Sequence, residues 1–275
     1  MGAIPLSPWD LGLAASLVLA LAALTHRLRL GLARPLLING TRAAVQLLLI
    51  GLVLKVLFEN LHAAWVAAMA LIMLGLAGRE VMARQHRRLA GWWGYGVGTL
   101  SMFLSSFSVA VLTLTAMIEA DPWYTPQYAI PLLGMLLGNT MNGISVALDR
   151  FTQSLWQQRA VVEARLTLGQ PWTEAVAELR RESMRSGLTP IVNAMAAAGV
   201  ITLPGMMTGQ ILAGAPPMEA VKYQLLIMFL IAAGTGFGTA AALWAGSRRL
   251  FDQRHRLRLE RLQLTEGGGK GRNGK

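Results

Sequence analysis

The sequence has no cysteine in 275 residues. Disulfides, thiolate metal sites, iron–sulfur clusters and thiol nucleophiles are thereby excluded. Charge is scarce too: Asp, Glu, Lys and Arg make up 14% of the chain, where a soluble domain carries about a quarter. Acidic residues are the scarcer sign, and none falls near the middle of a long apolar run. Intramembrane carboxylates commonly serve as proton relays in secondary transporters, so their lack counts against that class. HExxH, GxSxG and paired carboxylates are missing from the apolar runs, and with them the usual catalytic signatures. His26, His62, His86 and His255 lie near the ends of these runs or between them. The GGGK near the end is not followed by the Ser or Thr of a Walker A loop. No catalytic residue, and no cofactor bound by this chain, is expected.

Hydrophobic residues make up 54% of the sequence, and several runs approach the roughly 20 residues that cross a bilayer. Seven spans are read, at 9–25, 36–58, 61–78, 94–118, 129–148, 189–213 and 219–246. The expected fold is all-α and polytopic. Domains are read as 1–148 (five spans), 149–188 (a polar helix pair), 189–246 (two spans) and 247–275 (a basic, disordered tail). Arginines 27, 29 and 34 follow the first span, and 79, 84, 87 and 88 the third. Six arginines lie in 149–188, and nine Lys or Arg lie after 246. The intervening loops EN, EADPWYTPQY and APPM hold no basic residue. This alternation is the positive-inside pattern. It places the N-terminus outside and the polar pair and C-terminus in the cytoplasm. The net charge of +11 therefore reports topology, and no nucleic-acid partner is expected. The leader MGAIPLSPWD has no basic residue, unlike a signal peptide. Trp9, Trp123 and Tyr124 fall where interfacial aromatics belong.

Between Asp149 and Thr189 the sequence leaves the membrane pattern. Phe151, Leu155, Val162, Leu166 and Leu168 recur at broadly helical spacing. Gly169 is placed as a helix-terminating residue, Pro171 restarts the chain, and the second helix is read as ending at Gly187, with membrane re-entry at Pro190. Glu163, Ala164 and Gly169 resemble the start of the EAA…G loop through which permeases of ABC importers dock on their ATPase. Arg165 stands in place of the second alanine, and the loop's later Leu-Pro is not at its usual offset. The wider stretch 163–229, with LPGMMTGQILAG inside it, closely resembles the FetB-type permease family, as do LLGNTMNGISVALDR at 136–150 and the Arg42/Gln46 pair. These are bacterial permeases assigned to iron export, related to plant aluminium-tolerance half-transporters. The resemblance implies a multi-pass subunit of the bacterial inner membrane, acting as a homodimer. It further implies a separate cytoplasmic ABC ATPase that carries ATP and Mg, and coupling through Glu163, Ala164, Gly169 and Trp172. The cargo it implies is a metal ion, iron.

Few polar residues sit within the spans. Arg42 and Gln46 lie one turn apart on one face of the second; Arg42 either snorkels to the interface or serves a path. Lys55 and Lys222 lie near external ends. Asn139, Asn142 and Ser145 sit on the fifth span and Asp149 at its internal end, the last three on one stripe, for packing or for lining a path. Pro204 and Gly205 break or kink the sixth, ahead of Met206, Met207 and Gln210. The two thioethers are soft ligands, but neighbours on a regular helix point about 100° apart, and packing competes with metal binding as their role. Gly134/Gly138 and Gly205/Gly209 form GxxxG pairs, a signature of close helix contact. The alternatives to an exporter subunit are a stand-alone secondary transporter or channel for a small solute, a membrane scaffold or sensor, and a membrane enzyme.

Overall fold

The computed structural model describes residues 7–59 and 62–264, so the glycine-rich end 266–275 read as disordered lies outside the described residues. The chain divides into two compact units, 1–62 with 209–216 and 63–208 with 217–275. Six helices among the described residues are long and apolar enough to cross a membrane.

The smaller unit is built on a helical hairpin of α1 (Pro8–Arg27) and α2 (Ala33–Glu59). A capping box starts α1: Ser7 Oγ accepts from the Asp10 backbone N–H, and Asp10 Oδ2 accepts from the Ser7 backbone N–H at 2.8 Å. The reversal between the helices uses left-handed backbone at Arg29 and Gly31. Both helices are apolar nearly all round, which is the composition of a lipid-facing hairpin.

In the larger unit α6 (Pro126–Gln157) is the axis. Around it pack α3 (Ala63–Ala83), the span α4–α5 (Trp92–Ala116), α9 (Ala177–Ala197) and α11 (Pro217–Arg249). Phe151, Leu155, Leu136 and Ile144 of α6 are wholly buried. The span α4–α5 is α4 (Trp92–Met102), a π-helical turn at Phe103–Phe107 and α5 (Ser108–Ala116). Short α7 (Arg159–Thr167) and α8 (Trp172–Ala175) join α6 to α9.

Four expectations change. The span read at 189–213 is two pieces. Helix α9 stops at Ala197, Gly199 turns left-handed, and α10 (Gly205–Leu212) begins only after Pro204. Gly199 takes a left-handed φ of +80° that ends the helix, Pro204 disfavours helix in the residue before it, and the β-branched Val200, Ile201 and Thr202 weaken helix slightly. The second polar helix does not end at Gly187: α9 runs through it and through Pro190. The GxxxG glycine Gly138 has nothing within 4 Å of a built Cβ. Finally, the tail read as disordered from 247 is ordered to Leu264. Strand β2 (Leu262–Leu264) pairs antiparallel with β1 (Arg87–Leu89), because Leu257, Leu259 and Leu262 find apolar partners on the helix core.

Candidate coupling surface and membrane path

The link from α6 to α9 is built around Gly169. Its φ of +89° is one that a side chain resists. The Gly169 N–H donates to the Leu166 carbonyl at 3.0 Å, and the Gln170 N–H donates to the Arg165 carbonyl at 3.1 Å. This pair of bonds is a Schellman motif, and it ends α7 where the sequence places the end. Arg165, the departure from the EAA pattern, reaches across the turn and donates to the Ala175 carbonyl at 3.3 Å, tying α7 to α8. Val162 is buried, whereas Val161 and Leu168 are 50% and 84% exposed. With exposed Ala164 they form one apolar stripe at i, i+3 and i+7. Glu163 is exposed beside it. Trp172 is not free at this surface: its ring stacks on Phe251, with centroids 5.5 Å apart and planes at 18°.

Helix α9 leaves this link and crosses α6 with almost no room. A Cβ on Gly187 would meet the Gly143 carbonyl oxygen at 2.7 Å and the Ala147 Cβ at 2.9 Å. A Cβ on Gly143 would meet Thr235 Cγ2 of α11 at 2.6 Å. Backbones therefore touch where α6, α9 and α11 meet, beside the buried Thr235 and Thr239 hydroxyls, which have no hydrogen-bond partner. Pro190, in the next turn of α9, has no N–H to offer the Ser186 carbonyl.

The predicted path residues separate. Asn139 is exposed on α6, its amide donating to the Met135 carbonyl at 2.8 Å. Asn142 lies nearly a turn further on, and its Oδ1 accepts from Arg84 at 3.4 Å. Ser145 is turned inward, donating to the Met141 carbonyl at 2.7 Å. Below them comes a cluster only partly signalled by the sequence. Arg84 pairs with Glu80 at 3.3 Å. Asp149 accepts from the His86 backbone N–H at 2.7 Å and from Gln153 at 2.6 Å, and the His86 ring lies 3.2 Å from its other oxygen. Glu80 and Arg84 have the i,i+4 spacing of a helix ion pair, which is the signal that could have found them. The carboxamides of α6 thus lead toward the charged end of the unit. Arg42 and Gln46 belong to the smaller unit, one turn apart on α2. Pro204 precedes α10, and α10 carries Gly205, Met206, Met207 and Gln210. Because α10 is regular, its two thioethers diverge, and the irregular backbone lies before them at 198–204. The Gln210 Oε1 is buried without a partner. No group of three or more His, Cys, Asp or Glu able to hold a metal occurs among the described residues.

Long apolar helices, a buried axial helix and a polar link outside the apolar windows define a polytopic helical membrane protein. Over residues 8–251 the chain matches the family described as "Uncharacterised protein family (UPF0014)", and it belongs to that family. It is 37% identical over 252 residues to UPF0014 membrane protein slr1647 of Synechocystis, covering 90% of this chain and 95% of that one. It is 30% identical over 263 residues to the probable iron export permease protein FetB of Escherichia coli, covering 92% and 96%. It is 31% identical over 217 residues to protein ALUMINUM SENSITIVE 3 of Arabidopsis thaliana, covering 78% and 77%. No solved structure matches.

Proposed function

We propose that this protein is the membrane permease subunit of an ATP-driven ABC exporter, working as a homodimer with a separate cytoplasmic ATPase on each copy. It lies in a bacterial inner membrane with its basic end in the cytoplasm and its N-terminus outside. The observation that carries this reading is the continuity of the link. A glycine-terminated helix with an exposed apolar stripe, Val161, Ala164 and Leu168, is joined through α8 to α9, which touches α6 backbone to backbone at Gly187. Apolar residues gathered on one face of an otherwise polar helix suit contact with a protein partner. The ATPase seats on that stripe beside Glu163, and its nucleotide-driven movement passes along α9. The cargo is a metal ion. Iron is favoured by the similarity to the probable iron export permease of Escherichia coli, and Asn139 and Asn142 line its path.

The test is recovery of the tagged protein from its own membranes. An ABC-type ATPase is expected to come down with it and to be lost on Leu168→Glu. If no ATPase is recovered and the chain alone carries iron(II) across liposomes without ATP, the protein is instead a stand-alone transporter or channel.

A further inference from the structure

The segment that follows α11 does more than decorate the basic end. The Phe251 ring stacks on Trp172 at the start of α8, and the Trp172 backbone N–H donates to His255 Nδ1 at 3.3 Å. His255 has a φ of +56°, a conformation few side chains adopt unless the surroundings impose it. The surrounding turn is closed by Asp252, whose Oδ1 accepts from the backbone N–H groups of Arg254 and Arg256, each at 2.9 Å. Its Oδ2 lies 3.0 Å from the guanidiniums of Arg256 and Arg258. Further along, Arg261 donates to the Arg249 carbonyl at 2.7 Å, closing the segment back on the end of α11. Strand β2 then pairs with β1.

We propose that residues 250–264 form a clasp that fixes α8 to the end of α11, with Phe251 and His255 as its positioning residues. Resting on the coupling reading above, this means that a displacement imposed at the α7–α8 turn reaches α11 as well as α9. Aromatic stacking sets the distance between the two elements, and the His255 acceptor satisfies an N–H that the first turn of α8 leaves without an intrahelical partner. A solvated basic tail would need neither contact.

The chain lacks cysteine, so labels can be placed at chosen sites. In lipid nanodiscs, with the labelled full-length chain diluted into unlabelled chain so that only the distance within one copy is read, spin labels on Gln170→Cys and Arg248→Cys should give one narrow distance distribution. Phe251→Ala and His255→Ala should each broaden it about two-fold. Phe251→Tyr, which keeps the stack, and His255→Asn, which keeps an acceptor and tolerates left-handed backbone, should leave it narrow. With the ATPase bound, His255→Ala should hydrolyse ATP within about two-fold of the parent while moving at least about five-fold less iron(II) per ATP. The proposal is overturned if the parent distribution is already as broad as that of the alanine variants, or if His255→Ala transports per ATP like the parent. His255 is exposed, so its replacement keeps the test decisive even if Phe251→Ala fails to fold. Should the parent recover no ATPase, the coupling reading falls, and the label distances still decide whether α8 is fixed to α11.

Discussion

Two glycines on crossing helices, Gly138 on α6 and Gly187 on α9, are expected to behave oppositely, and the contrast tests the packing. At Gly138 a methyl meets nothing within 4 Å. Gly138→Ala should therefore be tolerated and gain about 0.5–1 kcal/mol from helix propensity. Across the crossing, Gly187→Ala drives a methyl to 2.7 Å from the Gly143 carbonyl oxygen, and backbone cannot step aside as a side chain can. A loss of about 1–3 kcal/mol is expected, read as a fall in melting temperature in detergent. Asp252 makes a second prediction at this scale. Backbone donation from Arg256, helped by the Arg256 side chain and the Arg254 N–H, holds its carboxyl down from 3.8 to about 2. A depressed carboxylate stabilises the fold fully above its unfolded value and loses that contribution as pH falls through the folded one. The distance between labels at 170 and 248 should thus be insensitive to pH above about 4 and broaden as pH falls toward about 2. Asp252→Asn should be broad throughout.

Among the elements, the α7–α8 turn is where sequence and structure agree most closely, and the reason is local. Glycine with a positive φ after a helical run leaves few other solutions, so Gly169 reads as an end from spacing alone. Gly169→Val should cost about 1–2 kcal/mol and speed hydrogen exchange across 165–175, while the membrane helices stay protected. Arg165→Ala should speed exchange in the same segment by releasing the Ala175 carbonyl. The other elements were harder to read for identifiable causes. Residues 189–213 score as one span because apolar composition ignores conformation, whereas left-handed Gly199 and then Pro204 interrupt the helix. The clasp was hidden by its arginines: RLRLERLQL alternates leucine with charge, a strand signal, but so many basic residues read as a solvated tail. The partnership of Trp172 with Phe251 was invisible, since the two are joined only by the fold. Asn142, Ser145 and Asp149 share one stripe of α6, as the spacing on a regular helix dictates, but that Ser145 is the buried member of it depends on the helices packed alongside and not on spacing.

For the molecule as a whole, the charge pattern and the fold make a joint prediction about sidedness. In the larger unit Arg84, His86, Asp149 and the clasp gather at one end, while Trp123 and Tyr124 line an apolar cavity of about 230 Å³ with Ala63 and Ala129. In intact cells, an impermeant maleimide should label Trp123→Cys and not Leu168→Cys, and in inverted vesicles the pattern should reverse. A geometric consequence follows from the place where α9 meets α6. Gly187 is the midpoint of α9, ten residues from Ala177 and ten from Ala197. At about 1.5 Å per residue, each side is a lever arm of roughly 15 Å. A rocking of about 10° about that fulcrum would carry either tip through roughly 2.6 Å, in opposite senses. A seesaw of equal arms neither magnifies nor diminishes what it is given: a push at the Ala177 end would arrive at the Ala197 end undiminished and inverted.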